Sequence, residues 1–447
     1  MRTLGALALA VLIFASLGSC GEEAKLALSA GMGPHPALPE PQAAIIPTMQ
    51  LTRAVGWPES RKPNAPPDLQ VTAYAAHLDH PRWIYVLPDG DVLVAETSQP
   101  DRPADTHGIL GFVARRAMNR VGADVRSAER ITLLRGVDAN GAAKTRSVFL
   151  EHLHSPFGMS LVGEVFYVAN TDSVQAFHYH TGELQISGTG TTLTNLPAGP
   201  INHHWTKNLI ASPDGTKLYV TVGSNSNAAE NGIAAETERA AIWEVDIRSG
   251  QHRIFASGLR NPNGLAWEPE TSALWTAVNE RDDLGGDLVP DYMTAVADGG
   301  FYGFPYSYFG AHIDERVRPP RADLLARTLV PDYALGAHTA SIGLAFASGE
   351  SLPVRLRHGA FIGQHGSWNR KPLSGYQVIF VRFENGRPAG EPELVLSGFL
   401  NRNGEAMGRP VGVAMDAQGA LLVADDVGNT VWRVGAAHPE SHHDGAH

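Results

Sequence analysis

Six segments of this chain repeat one alternation of polar turn and hydrophobic strand. Each segment begins with a turn, continues as a short hydrophobic run broken by polar residues, and ends on a small or polar residue. The segments begin at Pro88, Val162, Ser212, Thr271, Arg357 and Asp416, so that consecutive starts lie 50 to 86 residues apart. Strands and Gly-rich turns repeated at such a spacing are typical of propeller blades. The pattern therefore predicts an all-β fold, a six-bladed β-propeller, in which distant residues meet on one face around the central channel.

The N-terminal residues follow a different pattern, that of a targeting segment. Arg2 precedes an apolar run at residues 4–17, which is too short to span a bilayer comfortably. The run leads into Leu-Gly-Ser-Cys at residues 17–20, which resembles the processing site of bacterial lipoproteins, where the cysteine is lipidated. Residues 1–19 are therefore expected to be a lipoprotein signal peptide, and Cys20 a lipidation site. Cys20 is also the one cysteine of the sequence, which excludes a disulfide within the chain.

Composition sets the remaining boundaries. Residues 20–66 are rich in Ala, Pro and Gly and predict a tether between the lipid and the folded domain. The propeller is expected at residues 67–435, with an N-terminal strand that completes the last blade and removes an open sheet edge. Residues 436–447 contain four histidines and are expected to be a disordered His-rich tail. The long intervals at 97–150 and 281–335 predict a loop with a short helix and an excursion on one face.

Charge narrows the range of partners. The formal net charge is −11, and the sequence contains no basic cluster, so we do not expect nucleic acid or an anionic membrane surface as a partner. No second hydrophobic run of 18 residues or more follows the targeting segment, so we expect membrane contact only through the lipid anchor. The expected location is the cell envelope, lipid-anchored and facing the periplasm.

Three polar motifs stand out from this repeating background. They are Gly-Pro-Ile-Asn-His-His-Trp-Thr-Lys-Asn at 199–208, Arg-Asn-Pro-Asn-Gly at 260–264, and Asn-Glu-Arg-Asp at 279–282 with Asp-Gly-Gly-Phe-Tyr-Gly-Phe-Pro at 298–305. In this order they resemble the sorbosone dehydrogenase-like family of quinoprotein propellers, which is related to the soluble glucose and aldose dehydrogenases that use pyrroloquinoline quinone (PQQ). The resemblance covers residues 69–435. It implies an oxidoreductase that transfers hydride from a sugar or sugar-derived aldehyde to PQQ, with Ca²⁺ as a second cofactor.

The resemblance also implies the catalytic residues. His204 would be the base that takes the substrate hydroxyl proton, a task that suits a side chain titrating near neutral pH. His203 is its neighbour and would face the other way on a strand. Arg260 would act in catalysis and, together with Asn261, contact the quinone.

Further cations are implied by the cofactor, a planar tricarboxylate with an ortho-quinone. Arginine offers a bidentate fork to such carboxylates. By resemblance, Arg409 would bind a cofactor carboxylate. His365 begins the run His-Gly-Ser-Trp-Asn-Arg, which resembles a run of the family at the channel face, and Lys371, just after it, would supply a further positive charge.

A calcium site is implied near Glu280 and Arg281, whose counterparts in the glucose enzymes bind the ion through backbone carbonyls. Calcium takes oxygen ligands and accepts carbonyls readily. The nearby carboxylates of Asp282, Asp283 and Asp287 are an alternative set of ligands.

The sequence departs from the glucose-enzyme pattern at the partners of the site. Ser224 stands where the glucose enzymes have the acid that orients the catalytic histidine, and a serine cannot stabilise the imidazolium as a carboxylate does. A second cofactor arginine falls on Met407, and a loop lysine falls near Gly366. Arg370 and Lys371 are the expected replacements.

Three functions stay open from the sequence. The first is the PQQ-dependent dehydrogenase, passing its electrons to a quinone pool or a cytochrome. The second is a calcium-dependent lactonase on the same scaffold, with a metal held at strand ends by Glu96, Asn170, Asn225 and Asn279. The third is a propeller that binds a carbohydrate or another partner without catalysis, because fold alone does not determine function.

Overall fold

The structure is a computed structural model that describes residues 23–42, 48–100, 122 and 125–437. The predicted signal peptide, Cys20 and the histidines of the predicted tail lie outside the described residues. The first two residues of that tail, Ala436 and Ala437, are described, and their amides donate to Ser351 O and Asp68 O at 2.9 Å.

The fold is the predicted six-bladed β-propeller, built from antiparallel sheets of four strands, with a fifth strand added to blade 4. The strands of blades 1 to 3 are Pro81–Val86, Val92–Glu96, Arg130–Arg135 and Thr145–Leu150; Met159–Val162, Val165–Ala169, Ser173–His178 and Thr191–Asn195; and Leu209–Ala211, Lys217–Val222, Ala241–Asp246 and His252–Ser257. Those of blades 4 to 6 are Asn261–Trp267, Leu274–Asn279, Pro290–Ala295, Tyr333–Ala337 and Met32–Gly33; Ser341–Phe346, Gly359–Gln364, Gln377–Glu384 and Arg387–Leu396; and Pro410–Met415, Leu421–Asp425, Thr430–Ala436 and Leu69–Ala75.

Helices are short in the described part of the chain. They are Leu28–Gly31, Ile233–Glu236 and Val354–Leu356, which are 3-10 helices, and the α-helix Ala322–Leu325. No helix among these residues is long and apolar enough to cross a membrane. A separate two-stranded ribbon joins Ser307–Tyr308 to His312–Ile313.

The six repeated segments of the sequence all form the same element. Each is the second strand of its blade together with the turn before it, and the runs of Val, Leu, Ile and Phe are buried on both faces between neighbouring blades. This confirms the prediction from the hydrophobic pattern. The prediction of a loop with a short helix at 97–150 is wrong in its second half, because Arg130–Arg135 and Thr145–Leu150 complete blade 1.

The blades close into a ring around the channel. The first strand of every blade contacts the first strand of the next, and the first strand of blade 6 contacts that of blade 1. Glycines allow this approach: a Cβ on Gly264 would lie 2.6 Å from the Cβ of Leu344 in blade 5. The N-terminal strand Leu69–Ala75 pairs with Thr430–Ala436 and so completes blade 6, as expected for a closed propeller.

The segment before the first blade is packed on the propeller along its described residues. Met32–Gly33 pairs with Tyr333–Ala337 of blade 4, and the Trp57 indole donates to Asp425 Oδ2 of blade 6 at 2.6 Å. Glu23 forms an ion pair with Lys371 at 2.7 Å. These contacts pack the described residues of this segment onto the propeller.

The order of strands decides where functional residues collect. In an antiparallel blade, the first strand begins at the same end of the sheet at which the second strand finishes. Loops that enter first strands and loops that leave second strands therefore share one end of the propeller, which we call the upper face.

Candidate active site

The upper face brings together polar residues from all six blades. Each of them lies at the start of a first strand, in the loop before it, or just after a second strand, and most are buried. They include His80, Arg82, Asn170, His204, Ser224, Arg260, Asn261, Asp282, His338, His365, Arg409 and Asp426. Buried polar groups lower the stability of the fold unless they form hydrogen bonds or ion pairs. The partners of each group therefore indicate its role.

His204 lies before the first strand of blade 3 and is half-buried. Its Nδ1 lies 2.9 Å from Ser224 O and 3.0 Å from Ser224 Oγ. A carbonyl oxygen only accepts, so Nδ1 carries the proton and donates it to Ser224. Ser224 Oγ gives its own hydrogen to Ser226 O at 2.7 Å, which leaves its lone pairs toward the imidazole. The neutral ring therefore has its lone pair on Nε2.

The surroundings keep this imidazole neutral. Burial lowers the pKa of His204 well below its usual value, and the positive charge of Arg260 lowers it further. A neutral imidazole with a free lone pair is the form that a general base needs. His203 is exposed on the surface, so the structure distinguishes the two neighbouring histidines in the way the sequence predicts.

Arg260 is buried and held by backbone and side-chain oxygens. Its Nε and Nη2 donate to Asn227 O and Oδ1 at 3.1 and 2.8 Å, and its Nη1 donates to Glu280 O at 2.6 Å. A more distant ion pair joins it to Asp282 at 3.6 Å. The guanidinium is thus a fixed positive charge beside His204.

Asn261 approaches His204 across a glycine. A Cβ on Gly223 would lie 2.5 Å both from Asn261 Oδ1 and from His204 Cβ, so only glycine leaves room for the two to meet. Asn261 is buried, and its Oδ1 has no hydrogen-bond partner among the described residues. This oxygen is available to a hydroxyl or amide group of a ligand.

The blade 4 cluster continues from Arg260 to Asp282, His338 and Asn369. Asp282 Oδ1 accepts from Asn369 Nδ2 at 2.7 Å and lies 3.4 Å from His338 Nδ1. Burial acts to raise the pKa of Asp282, but His338 and Arg260 outweigh it and lower that pKa to about 2. Burial likewise opposes the charge on His338, whereas Asp282 raises its pKa above the usual value. Asp282 and His338 thus form an ion pair, and the Asn369 amide holds the Asp282 carboxylate in place.

A second group of polar residues on the upper face, the blade 6 cluster, comprises His80, Arg82, His365, Arg409 and Asp426. Asp426 Oδ2 accepts from Arg82 Nη1 at 2.6 Å and from His365 Nε2 at 2.8 Å, with His80 Nε2 at 3.5 Å. Burial lowers the pKa of His80 to about 4 and also lowers the pKa of His365. With both histidines neutral, the two guanidiniums face one carboxylate, and the cluster carries a net positive charge.

Unfilled hydrogen-bonding positions distinguish this second cluster. Arg82 Nε, Arg409 Nε and Asp426 Oδ1 are buried without a partner in the described part of the chain. Arg409 is otherwise well held: its amide donates to Asp425 Oδ1 at 2.7 Å, and its Nη2 donates to the Tyr376 hydroxyl at 3.0 Å. Buried polar groups without partners are costly, and a ligand that supplies partners relieves that cost.

Trp205 connects the two clusters. It follows His204 directly, and the Arg82 guanidinium lies over its ring at 5.6 Å from the centroid. Trp205 also packs edge-on against Phe157 of blade 2. Trp205 therefore joins His204, its neighbour in the chain, to the Arg82 guanidinium of the second cluster.

Glu280 and Arg281, the predicted calcium ligands, form a buried ion pair. Arg281 Nε donates to Glu280 Oε2 at 3.0 Å, and its other nitrogens donate to Asp314, Pro305 O and Ser307 O. Glu280 O already accepts from Arg260. Glu280 Oε1 is one buried oxygen without a partner among the described residues, whereas calcium takes six to eight oxygen ligands. These contacts do not fit calcium at this place, and the described residues contain no group of three or more His, Cys, Asp or Glu that would hold a metal.

Lys371 and Arg370 are not part of either cluster. Lys371 Nζ pairs with Glu23 at 2.7 Å. Arg370 donates to Gly286 O and Pro372 O, both at 2.9 Å. Both side chains therefore hold the N-terminal segment and a loop in place, and the structure brings neither of them to His204. A different cation, Arg82, lies in the blade 6 cluster.

Four residues of the site were missed in the sequence: His80, Arg82, His338 and Asp426. Arg82 had a usable signal, because it enters the first strand of its blade as Arg260 and Arg409 enter theirs. Asp426 likewise follows the last repeated segment directly. His80 carried the same signal, because it directly precedes Pro81–Val86, whereas His338 follows the fourth strand of blade 4 and carried none.

Comparison with known proteins agrees with this architecture. The model of the TrAA12-like family matches residues 63–292 and 325–437. An uncharacterized protein of Borreliella burgdorferi is 27% identical over 301 residues, which are 65% of this chain and 76% of that protein. The aldose sugar dehydrogenase YliI of Escherichia coli strain K12 is 29% identical over 186 residues, 39% of this chain and 48% of that enzyme. The last alignment thus spans about half of the enzyme.

Solved structures share the fold. The holo form of the pyranose dehydrogenase PQQ domain from Coprinopsis cinerea superposes with a TM-score of 0.66 at 19% identity, covering 85% of this chain and 98% of that domain. A calcium structure of the Trichoderma reesei protein of carbohydrate-active enzyme family AA12 has a TM-score of 0.68 at 17% identity, covering 87% and 99%. The resemblance to PQQ sugar dehydrogenase propellers that the motifs predicted is confirmed.

Proposed function

This chain belongs to the TrAA12-like family, and we propose from that premise that it is an oxidoreductase that oxidises a sugar or a sugar-derived aldehyde with PQQ. The observation that carries the proposal is His204. Its proton is held on Nδ1 by Ser224 and its lone pair lies on Nε2, beside the fixed charge of Arg260. The named relatives support the same chemistry, since they include an aldose sugar dehydrogenase and a pyranose dehydrogenase with a PQQ domain.

The described residues fit the cofactor. A tricarboxylate needs cations with free donors, and the blade 6 cluster supplies Arg82 and Arg409, each with a buried Nε that lacks a partner among the described residues. Asn261 Oδ1 is a free acceptor on the His204 side. Arg82, Arg409 and Asn261 would therefore hold PQQ. When bound, it supplies the acceptor for the hydride that leaves the substrate carbon.

The protein's own residues manage the proton and the charge. His204 Nε2 takes the proton of the substrate hydroxyl as the carbon–oxygen double bond forms. Ser224 O, as acceptor from Nδ1, stabilises the imidazolium that results. Arg260 cannot move away from this centre, because Asn227 and Glu280 hold its nitrogens, so its charge is preorganised. An aldehyde would react as its hydrate, which carries the hydroxyl that the base requires.

The residues near Glu280 do not fit calcium, so the proposed proton transfer to His204 takes place without the ion. A calcium ion elsewhere in this protein stays a prediction. The calcium structure of the Trichoderma reesei AA12 protein supports it. Adding Ca²⁺ or a chelator to the assay below tests it.

Attachment to the cell envelope through a lipid on Cys20 is part of the proposal, with the protein facing the periplasm and passing electrons to a quinone pool or a cytochrome. The sequence at residues 17–20 supports it. The packing of Glu23 and Ala24 against Lys371 on the upper face is compatible with it. Labelling with palmitate in cells should tag the native chain and leave Cys20→Ala unlabelled.

Calorimetric titration of the purified protein with PQQ, followed by dye reduction with a panel of aldoses and aldehydes, tests the enzyme. We expect stoichiometric uptake of the cofactor and turnover that His204→Ala abolishes. His203→Ala is the matched control, since that neighbour is exposed, and it should keep turnover within about threefold of the native rate. Absence of uptake at micromolar PQQ would overturn the proposal.

The lactonase has no observation in its favour. Glu96 is bound by Arg130 at 2.8 Å, and the amides of Asn170, Asn225 and Asn279 each bond to groups of their own surroundings. A carboxylate already neutralised by arginine is a poor metal ligand. A panel of lactones in the same experiment covers this alternative, and cofactor-free binding of sugars covers the non-catalytic propeller.

A further inference from the structure

Lys207 has no exposed surface and lies three residues after His204, in the loop before the first strand of blade 3. Its Nζ donates to His204 O at 3.0 Å and to Trp205 O at 3.4 Å. No carboxylate lies within ion-pair distance of Nζ in the described part of the chain. A buried ammonium without a counter-ion costs stability, so it persists only where the surrounding structure requires it.

The ammonium organises the loop around itself. Lysine carries three donors, and two of them return to the carbonyls of the second and third residues before it. The remaining contacts fix the loop from outside. Gly158 N of blade 2 donates to Lys207 O at 3.0 Å, and Thr206 Oγ1 donates to Asn263 Oδ1 of blade 4 at 2.8 Å. Removal of the ammonium would release the turn at the residues that carry His204 and Trp205.

The same group also acts on His204 through its charge. Lys207 is among the groups that lower the pKa of His204, after burial and Arg260. Burial lowers the pKa of Lys207 itself to about 7, assisted by Arg239 from blade 3 and opposed by Asp172 from blade 2. Below pH 7, where His204 titrates, Lys207 is therefore protonated.

We propose that Lys207 is the positioning residue of the catalytic base: it folds the turn at residues 204–207 around its ammonium and thereby orients His204. The role rests on the proposed function, because His204 is the base only in that reaction. Lys207 contacts no reacting group. It acts through the backbone of His204 and through a positive charge that keeps the imidazole unprotonated.

The first test needs no cofactor. Histidine-labelled protein is titrated by NMR, and the His204 ring signal is assigned by its loss in His204→Gln. We expect the pKa of His204 to rise in Lys207→Met and in Lys207→Gln, since both remove the cation. It should stay near the native value in Lys207→Arg and in Lys144→Met, a control at an exposed lysine. An unchanged titration in both neutral variants would overturn the electrostatic part of the role.

The second test uses the PQQ-loaded enzyme. Lys207→Met should lower kcat on the order of 100-fold with KM changed by less than about threefold, because displacing the base weakens the transition state alone. Lys207→Gln keeps a hydrogen-bond donor, so its kcat should lie between those of Lys207→Met and the native enzyme. Lys207→Arg should retain most of the native kcat. Equal losses in all three variants, with thermal unfolding equally lowered, would mean a purely structural lysine. Failure of PQQ uptake would contradict the proposed dehydrogenase function but would not affect the NMR titration, which needs no cofactor. The proposed function and the role of Lys207 can therefore be rejected independently.

Discussion

The blade 4 and blade 6 clusters on the upper face contain the same kinds of side chains but differ in how completely their polar atoms are paired. In the blade 4 cluster, every nitrogen of Arg260 has an oxygen partner, and Asp282 is closed by His338 and Asn369. In the blade 6 cluster, Arg82, Arg409 and Asp426 each keep one buried atom without a partner in the described residues. In the proposed function, the first cluster would hold the geometry around His204, and the second would use its unpartnered atoms and net positive charge to bind an anionic ligand.

Affinity for the cofactor should depend on the two arginines of the blade 6 cluster. Arg82→Met and Arg409→Met should each weaken PQQ binding on the order of 10- to 100-fold, because each loses a charge-assisted hydrogen bond to a carboxylate. Calorimetric titration measures the loss, with Arg382→Met as control, since that arginine forms an exposed pair with Glu384. Unchanged affinity in both variants would remove the distinction between the clusters.

Stability should depend on the single carboxylate of the blade 6 cluster. Asp426→Asn leaves Arg82 buried without a counter-charge and should reduce the free energy of unfolding by about 3 kcal/mol. Bound PQQ should restore part of the lost stability, because its carboxylates would replace Asp426 as the counter-charge of Arg82. Urea unfolding with and without the cofactor measures both. Asp298→Asn, at an exposed carboxylate, serves as control, and an equal loss there would contradict the prediction.

The blade 4 cluster should respond to pH on both sides of neutrality. The folded pKa of Asp282 lies at about 2, below its usual value, so its stabilisation is present above pH 4 and is lost as pH falls through 2. The folded pKa of His338 is raised, so its stabilisation is present below about pH 6.5 and is lost as pH rises through the folded pKa.

The consequence is a bell-shaped difference in stability. The native chain should exceed Asp282→Asn by about 2 kcal/mol between about pH 4 and 6.5, and by less on either side. Thermal unfolding across pH 3 to 9 gives the profile. A difference that does not vary with pH would show that the two groups are not paired.

The smallest effect is expected at Ser224. Ser224→Ala keeps the carbonyl that accepts from His204 Nδ1, so kcat should fall less than about tenfold. Ser224→Asp instead places a carboxylate beside the ring. It should raise the pKa of His204 and move the acid limb of the pH–rate profile to higher pH. A large loss in Ser224→Ala would mean that Oγ, and not the carbonyl, orients the base.

The residues that sequence reasoning placed well share one property. His204, Arg260, Asn261, Arg409 and His365 all flank first or second strands, so finding the strands was enough to bring them to one face. The residues it misplaced depend on contacts between distant segments. Lys371 follows the same strand as His365, yet it turns outward to Glu23 because the N-terminal segment packs there. Glu280 and Arg281 satisfy each other inside blade 4.

The sequence by itself determined the number of blades, the second strand of each and the family, because hydrophobic alternation and turn chemistry are local properties of the chain. Only the tertiary structure decided which cations face the channel, which backbone carbonyls the buried Lys207 holds, and which polar atoms are left without partners. These depend on the packing of six blades around one axis. The charge of a side chain is readable in the sequence, but the groups that neutralise it are known only when the ring has closed.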